Sequence, residues 1–112
     1  MALRPDILRY KRDFDRLYKK GRSVADKYVV VFHIDNGLGY SRKAFLASKK
    51  VGGAIFRNRA RRLMKESFRK LEHEIKPGID ILMIARNTIV GTNCAQVEES
   101  MKKALVKSKL LT

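Results

Sequence analysis

Between Lys49 and Lys70 the residue types and their spacing suit one kind of chemistry, the holding of a polyanion. Arg57, Arg59, Arg61, Arg62 and Arg69 fall in this stretch with Lys49, Lys50, Lys65 and Lys70, and Glu66 is its only acid. Arg61, Lys65 and Arg69 recur at i, i+4 and i+8, so a helix would line them along one flank with Arg62 beside them. Glu66 stands four residues before Lys70, the favourable order for a helical ion pair. Solvated helix faces ordinarily mix charge signs; this one barely does, and guanidinium groups are well matched to phosphate oxygens. A second set is aromatic. Phe14 and Tyr18 are spaced i, i+4, and Phe32 lies in an apolar run downstream. Core packing is the plainer reading of that spacing, and a platform on which unpaired bases stack is the sharper one.

Other chemistries are poorly served. There is no phosphate-binding glycine loop and no dinucleotide fingerprint. The acids are scattered, whereas a two-metal nuclease needs several carboxylates converging on ions about 4 Å apart. Cys94, His33 and His73 have neither metal-ligand spacing nor the surroundings of a nucleophile. No catalytic residue, metal ligand, tightly bound cofactor or small-molecule substrate is therefore expected. Asp80 alone among the acids sits inside an apolar strand, and a partner on a neighbouring element is its expected explanation.

The whole chain agrees with a polyanion partner. Its 112 residues carry a formal charge of +15, from 26 Lys and Arg against 11 Asp and Glu. Such a surface binds nucleic acid by releasing counterions. At 45% apolar residues the chain is also equipped to fold, as one RNA-binding domain over 1–112 with a flexible basic arm at 1–5. No apolar run has the length of a membrane span and no signal-peptide core opens the chain. With a single cysteine, a reducing, cytoplasmic setting is expected and a membrane partner is not.

The elements that must position these residues can be placed in order. Helix formers run from about Asp6 to Lys20, with Phe14, Leu17 and Tyr18 on one face and Gly21 placed as a C-terminal cap. Lys27–Ile34 reads as a strand apolar on both faces. Asp35-Asn36-Gly37 is a hairpin signal, so a second strand, from about Tyr40 or Ser41 to Ser48, should pair with it antiparallel. Gly52-Gly53 breaks the chain before a helix from about Ala54 to Glu74, whose apolar face is Ala60, Leu63, Met64, Phe68, Leu71 and Ile75. Lys76-Pro77-Gly78 is a stop. Ile79–Ala85 is a near-continuous apolar run, broken only by Asp80, hence a buried central strand. Asn93 with Gln96 forms a capping box for a last helix to about Lys109, with Val97, Met101, Ala104 and Leu105 inward. A further short strand near Ser23–Ala25 gives the order α-β-β-α-β-α with one strand extra. The economical α/β (α+β) architecture is a two-layer sandwich, a single small mixed sheet with helices packed on it.

These motifs resemble those of the bacterial ribonuclease P protein family. Ser48-Lys49-Lys50-Val51-Gly52, Ala54-Ile55, Arg57-Asn58-Arg59 and Arg61-Arg62-Leu63 follow the family signature nearly position for position. Asp13-Phe14, Leu17-Tyr18 and Gly21 are similar to its first helix and cap, and Asp80-Ile81 with Ile84-Ala85-Arg86 to its last strand. The similarity runs from about Leu8 to Leu110. It implies a left-handed βαβ crossover where the general rule for such units is right-handed. It implies that the chain is a subunit of ribonuclease P, an endoribonuclease whose catalytic centre, with the Mg²⁺ it requires, belongs to an RNA subunit. Carried over, it places Arg57, Asn58, Arg59, Arg61, Arg62, Lys65 and Arg69 against that RNA. It places the single-stranded 5′ leader of precursor tRNA in a cleft at Phe14, Tyr18 and Phe32, with Lys49 and Lys50 at its mouth. Ala44, Leu46 and Gly53 depart from the family pattern, standing where a glycine, a small or β-branched residue and an asparagine are common. A structural or ribosomal-type RNA-binding protein with no processing role is the alternative; it has no use for an aromatic groove that takes a single strand.

Overall fold

The computed structural model describes residues 4–111, so the first three residues of the expected arm lie outside the described residues. The elements are α1 (Lys11–Lys20), β1 (Arg22–Ala25), β2 (Val29–Asp35), β3 (Arg42–Leu46), α2 (Ala54–Leu71), β4 (Ile79–Ala85) and α3 (Cys94–Lys107), with single 3₁₀ turns at Glu72–Glu74 and Asn87–Ile89. They build one mixed sheet in the order β1-β2-β4-β3. β4 is central, as its near-continuous apolar run requires: six of its seven residues are buried, Asp80 among them.

The pairing of the strands differs from the hairpin expectation. β2 and β3 do not touch through a ladder. β4 lies between them, antiparallel to β2 and parallel to β3. The Asn36 amide explains why the turn signal misleads. It donates to the Tyr40 carbonyl and to Asp80 Oδ1, and its own oxygen accepts the Leu38 N–H, so the loop is tied down at the end of the sheet instead of reversing into a hairpin. The more apolar strand wins the central place because burying both its faces outweighs local turn chemistry. β3, α2 and β4 then form a βαβ crossover.

The period-2 alternation of the strands divides the core in two. The odd-numbered residues of β2 and β4, among them Val29, Val31, Ile81 and Met83, pack against α2 and α3 through Met64, Phe68, Val97, Met101 and Leu105. The even-numbered face carries α1 and the N-terminal segment, with Leu8, Leu17, Ala44 and Leu82 buried and Phe14, Phe32, Ile34 and Ile84 beside them. The inward faces expected of the last two helices are the ones observed. The capping box of α3 is present, Asn93 and Gln96 exchanging bonds of 2.9 Å each way.

The first helix starts later than its composition suggests. Ile7 and Tyr10 share the helical spacing of Phe14 and Leu17, yet Leu8 N–H donates to the Lys43 carbonyl and Lys43 N–H to the Asp6 carbonyl, so the segment runs as a short parallel addition to the β3 edge. Gly21 ends α1 without a left-handed turn, at φ −74°. It is needed for proximity: a Cβ there would sit 3.0 Å from the His33 carbonyl oxygen.

Asp26 fastens the β1–β2 turn to α3. Its carboxylate accepts from Ser100 Oγ at 2.8 Å and lies 3.2 Å from Lys107 Nζ, while Ser100 Oγ accepts the Tyr28 N–H. Burial alone would raise this carboxyl; the bonds from the Lys27 backbone, Ser100 and Lys107 outweigh it and hold the pKa below 3.8. A lowered folded pKa means stability present above the unfolded value and lost as pH falls through the folded one. Asp26→Asn should therefore cost about 1–2 kcal/mol near neutral pH. The gap between variant and parent should close as pH drops below 3.8. Urea midpoints at pH 6, 4 and 3 test this, and a gap that is constant with pH contradicts it.

Candidate nucleic-acid interface

Two surfaces meet at the β3 edge. The first is the even-numbered face of the sheet. By register, Ser23, Phe32, Leu82 and Ala44 form one row across it, and Ala25, Val30, Ile84 and Leu46 the next. α1 covers the first row, where Leu82 is fully buried and Ala44 is 9% exposed. It leaves the second partly open: Val30 and Ile84 are half-buried and Leu46 is exposed. The result is an apolar floor with α1 as its wall.

What fixes α1 there is charge as well as packing. Leu17 is its one fully buried residue. Asp13 lies 3.4 Å from Arg42 Nη1, and Arg42 also grips Asp80 in a two-point pair, Nε to Oδ1 at 2.8 Å and Nη2 to Oδ2 at 2.7 Å. Asp80 is 1% exposed and takes a third bond from Asn36. The hydrogen bond to Asp80 raises the Arg42 pKa most, against its own burial. The acid that stood out inside an apolar strand thus has its partner on the neighbouring strand, and the pair reaches on to α1.

Phe14, Tyr18 and Phe32 come together along this wall. Phe14 packs with the Leu17–Ala44–Leu82 cluster. Tyr18 meets Phe32 edge-on, centroids 5.2 Å apart, and remains about half exposed. Phe14 and Phe32 are half-buried against the core cluster, as the packing reading expects, and Tyr18 stays open to solvent. Lys49 and Lys50 are exposed on the turn after β3, at the end of the sheet where the open row lies. Arg86 lies one register step beyond Ile84 on the same face, where the resemblance to the family's last strand puts it, but it was not among the expected contact residues. Its guanidinium donates to the Asp26 carbonyl at 2.8 Å. The floor itself, Val30, Ile84 and Leu46, was also not foreseen, because nothing in a strand's own sequence tells which row a distant helix will leave uncovered.

The second surface is α2. Arg57, Arg62 and Lys65 make no ion pair among the described residues. Arg57 Nε is moreover buried without a hydrogen-bond partner. Arg59 instead donates to the Thr92 carbonyl, locking α2 to the loop before α3, and Arg61 donates to Asn58 Oδ1. Arg69 pairs with Glu66 at 2.8 Å, so Glu66 does not serve Lys70, which reaches Glu98 at 3.6 Å. Both i, i+3 partners are well exposed, and such a pair is worth little against a phosphate. The helix begins at Gly53 with no side-chain cap and no acid in its first turn. A Cβ at Gly53 would meet nothing within 4 Å, so a larger residue is sterically free there. Ile55 and Phe56 in that turn are exposed.

A groove of about 500 Å³ joins the two surfaces across the β3 edge. Phe14, Ala44 and Leu46 line it from the sheet side, and Lys65, Glu66 and Arg69 from α2. A strand of nucleic acid lying on the open row would pass directly to the cations of the helix.

Fold and charge together define a class, a small cationic α/β sandwich with a half-open aromatic-walled face beside a basic helix on which Arg57, Arg62 and Lys65 are free of ion pairs among the described residues. The chain belongs to the ribonuclease P protein family: the Ribonuclease P family model matches residues 3–109. It is 41% identical over 110 residues to the ribonuclease P protein component of Thermoanaerobacter sp. (strain X514), covering 96% of this chain and 95% of that one. The RNase P protein of Staphylococcus aureus superposes with a TM-score of 0.86 at 31% identity, over 97% of this chain and all of that chain. That of Thermotoga maritima gives 0.80 at 33%, over 89% and 94%.

Proposed function

We propose that this chain is the protein subunit of a bacterial ribonuclease P, working in the cytoplasm. It binds the catalytic RNA through α2 and the 5′ leader of precursor tRNA on the open sheet face. The observation that carries the reading is the junction at the β3 edge, where an apolar floor with an aromatic wall, fit for single-stranded bases, leads to Lys65 and the free cations of α2, fit for phosphates. Family membership favours this over a ribosomal-type RNA binder.

The division of labour follows from the residues. Arg57, Arg62 and Lys65 supply charge toward the RNA subunit; Arg59 and Arg61 hold the helix and its first turns in shape. Phe14, Tyr18 and Phe32 stack with leader bases, with little sequence preference because every base has a π-face. Lys49, Lys50 and Arg86 face the leader phosphates at the rim. Cleavage chemistry, and the Mg²⁺ it uses, sit in the RNA. Among the described residues no helix is long and apolar enough to cross a membrane.

The protein raises the affinity of the holoenzyme for precursor over product, since only the precursor has a leader to fill the cleft. Arg62→Ala with Lys65→Ala should weaken binding of the protein to a bacterial ribonuclease P RNA. Each phosphate contact removed should flatten the slope of log K against log salt by about 0.7–0.9. A slope that does not move removes these two residues from the RNA contact.

A further inference from the structure

We propose that the end of the sheet where α1 and α3 both terminate holds the phosphates of RNA that continues past the cleft, so that a long leader is gripped in two places. This rests on the cleft reading above.

The site is a pocket of about 370 Å³ lined by Lys20, Arg22, His33, Asp35, Lys76 and Lys109, among others. It shares no residue with the aromatic cleft or with the cationic row of α2. All four cations are exposed, and none is ion-paired among the described residues. The plain explanation for lysines here is the two helix C-termini, whose carbonyl ends attract cations. That accounts for only part of the charge. Each helix end amounts to about half a negative charge, so two ends with Asp35 offset about two of the four cations and leave about two. Burial and then the nearby Arg22 push the His33 imidazole below its ordinary pKa, with Asp35 pulling the other way, so this side chain adds hydrogen-bonding capacity but little charge.

Lys109 supplies an independent sign. It is the only non-glycine with a left-handed backbone among the described residues, φ 64°. Glycine is the residue that ends a helix in this way without strain. The bend serves the fold, since the Leu110 and Leu111 N–H groups both return to the Leu105 carbonyl and both leucines are buried. A lysine side chain is not required for that.

Position selects the occupant. Tyr18 stands at the end of the cleft wall, and two residues of basic helix separate it from Gly21, which lies against the His33 carbonyl. Arg22 opens β1 opposite His33. β1 is a four-residue edge strand with three exposed residues, so a single strand leaving the cleft at its Tyr18 end can pass over it. The N-terminus of α2 follows the far end of β3, about 20 Å away along the sheet. The RNA subunit at α2 and the distal leader here would not compete.

The test uses holoenzyme reconstituted with a bacterial ribonuclease P RNA under non-cleaving conditions. Precursors carry leaders of about 5 nucleotides, enough to fill one cleft, or about 20. The parent should bind the long-leader precursor more tightly, with a salt slope steeper by about 1.4, the value for two phosphates of a single strand. Lys20→Gln, Arg22→Gln and Lys109→Gln together should abolish that increment and leave short-leader affinity unchanged. Lys109→Gly should fold at least as stably as the parent and still lose part of the increment, which separates binding from stability. A full increment in the triple variant, or an equal loss on both leaders, overturns the proposal, as does a parent with no increment. If the parent binds leaderless tRNA as tightly as the short-leader precursor, the cleft reading itself fails.

Discussion

Arg42→Met should cost about 3–5 kcal/mol of folding stability, the range for breaking a buried ion pair from one side. The magnitude follows from what is left behind. Asp80, 1% exposed, would keep only the Asn36 amide, and Asp13 on α1 would lose its tie to the sheet. Replacing both members, Arg42→Met with Asp80→Leu, should recover much of the loss, because the pair's net contribution is small once its desolvation is counted. Chemical denaturation of the three proteins decides. A single-variant loss under about 1 kcal/mol would mean that the pair behaves as an exposed one. The pair's consequence for function is positional, since α1 is the wall of the cleft and Asp13 is the residue through which this charge network reaches it.

Phe14→Ala should weaken precursor tRNA binding by the holoenzyme by about 1–3 kcal/mol, roughly 5- to 150-fold, if its ring stacks on a leader base. Leaderless tRNA should bind as before. Phe14 also packs against the Leu17–Ala44–Leu82 cluster, so Phe14→Leu is the companion: it retains apolar volume and lacks the π-face. Loss of precursor affinity in both variants with the fold intact supports stacking. Equal loss for precursor and leaderless tRNA contradicts the cleft assignment.

How much of this was legible in the chain depends on the range of the interaction. α2 and α3 were, because a helix announces its buried face at 3.6-residue spacing, and Met64, Phe68, Val97 and Met101 all lie where that spacing puts them. The central place of β4 was legible from its near-continuous apolar run. The pairing of β2 with β4 was not. Asp35-Asn36-Gly37 is a local hairpin signal, and the competing pull is the long-range burial of β4, invisible to a short window. Nor was the start of α1: Ile7 fits a helix by spacing, but the segment gains more along the β3 edge, where backbone groups would otherwise go unpaired. Residue types and spacing pick out Phe14, Tyr18 and Phe32 and the α2 cations as candidates. The open row beneath the aromatics and the division of the arginines into free and structurally engaged ones are tertiary facts, set by where α1 crosses the sheet and by carbonyls such as that of Thr92.

The most direct measurement is cleavage of a leader-bearing precursor tRNA by a bacterial ribonuclease P RNA at low Mg²⁺, with and without this protein, beside the protein alone. Strong stimulation in the mixture, a 5′ end at the mature position and no cleavage by the protein alone is the result predicted here. Tight, salt-sensitive RNA binding with no stimulation of cleavage would contradict the account, as would cleavage by the protein without RNA.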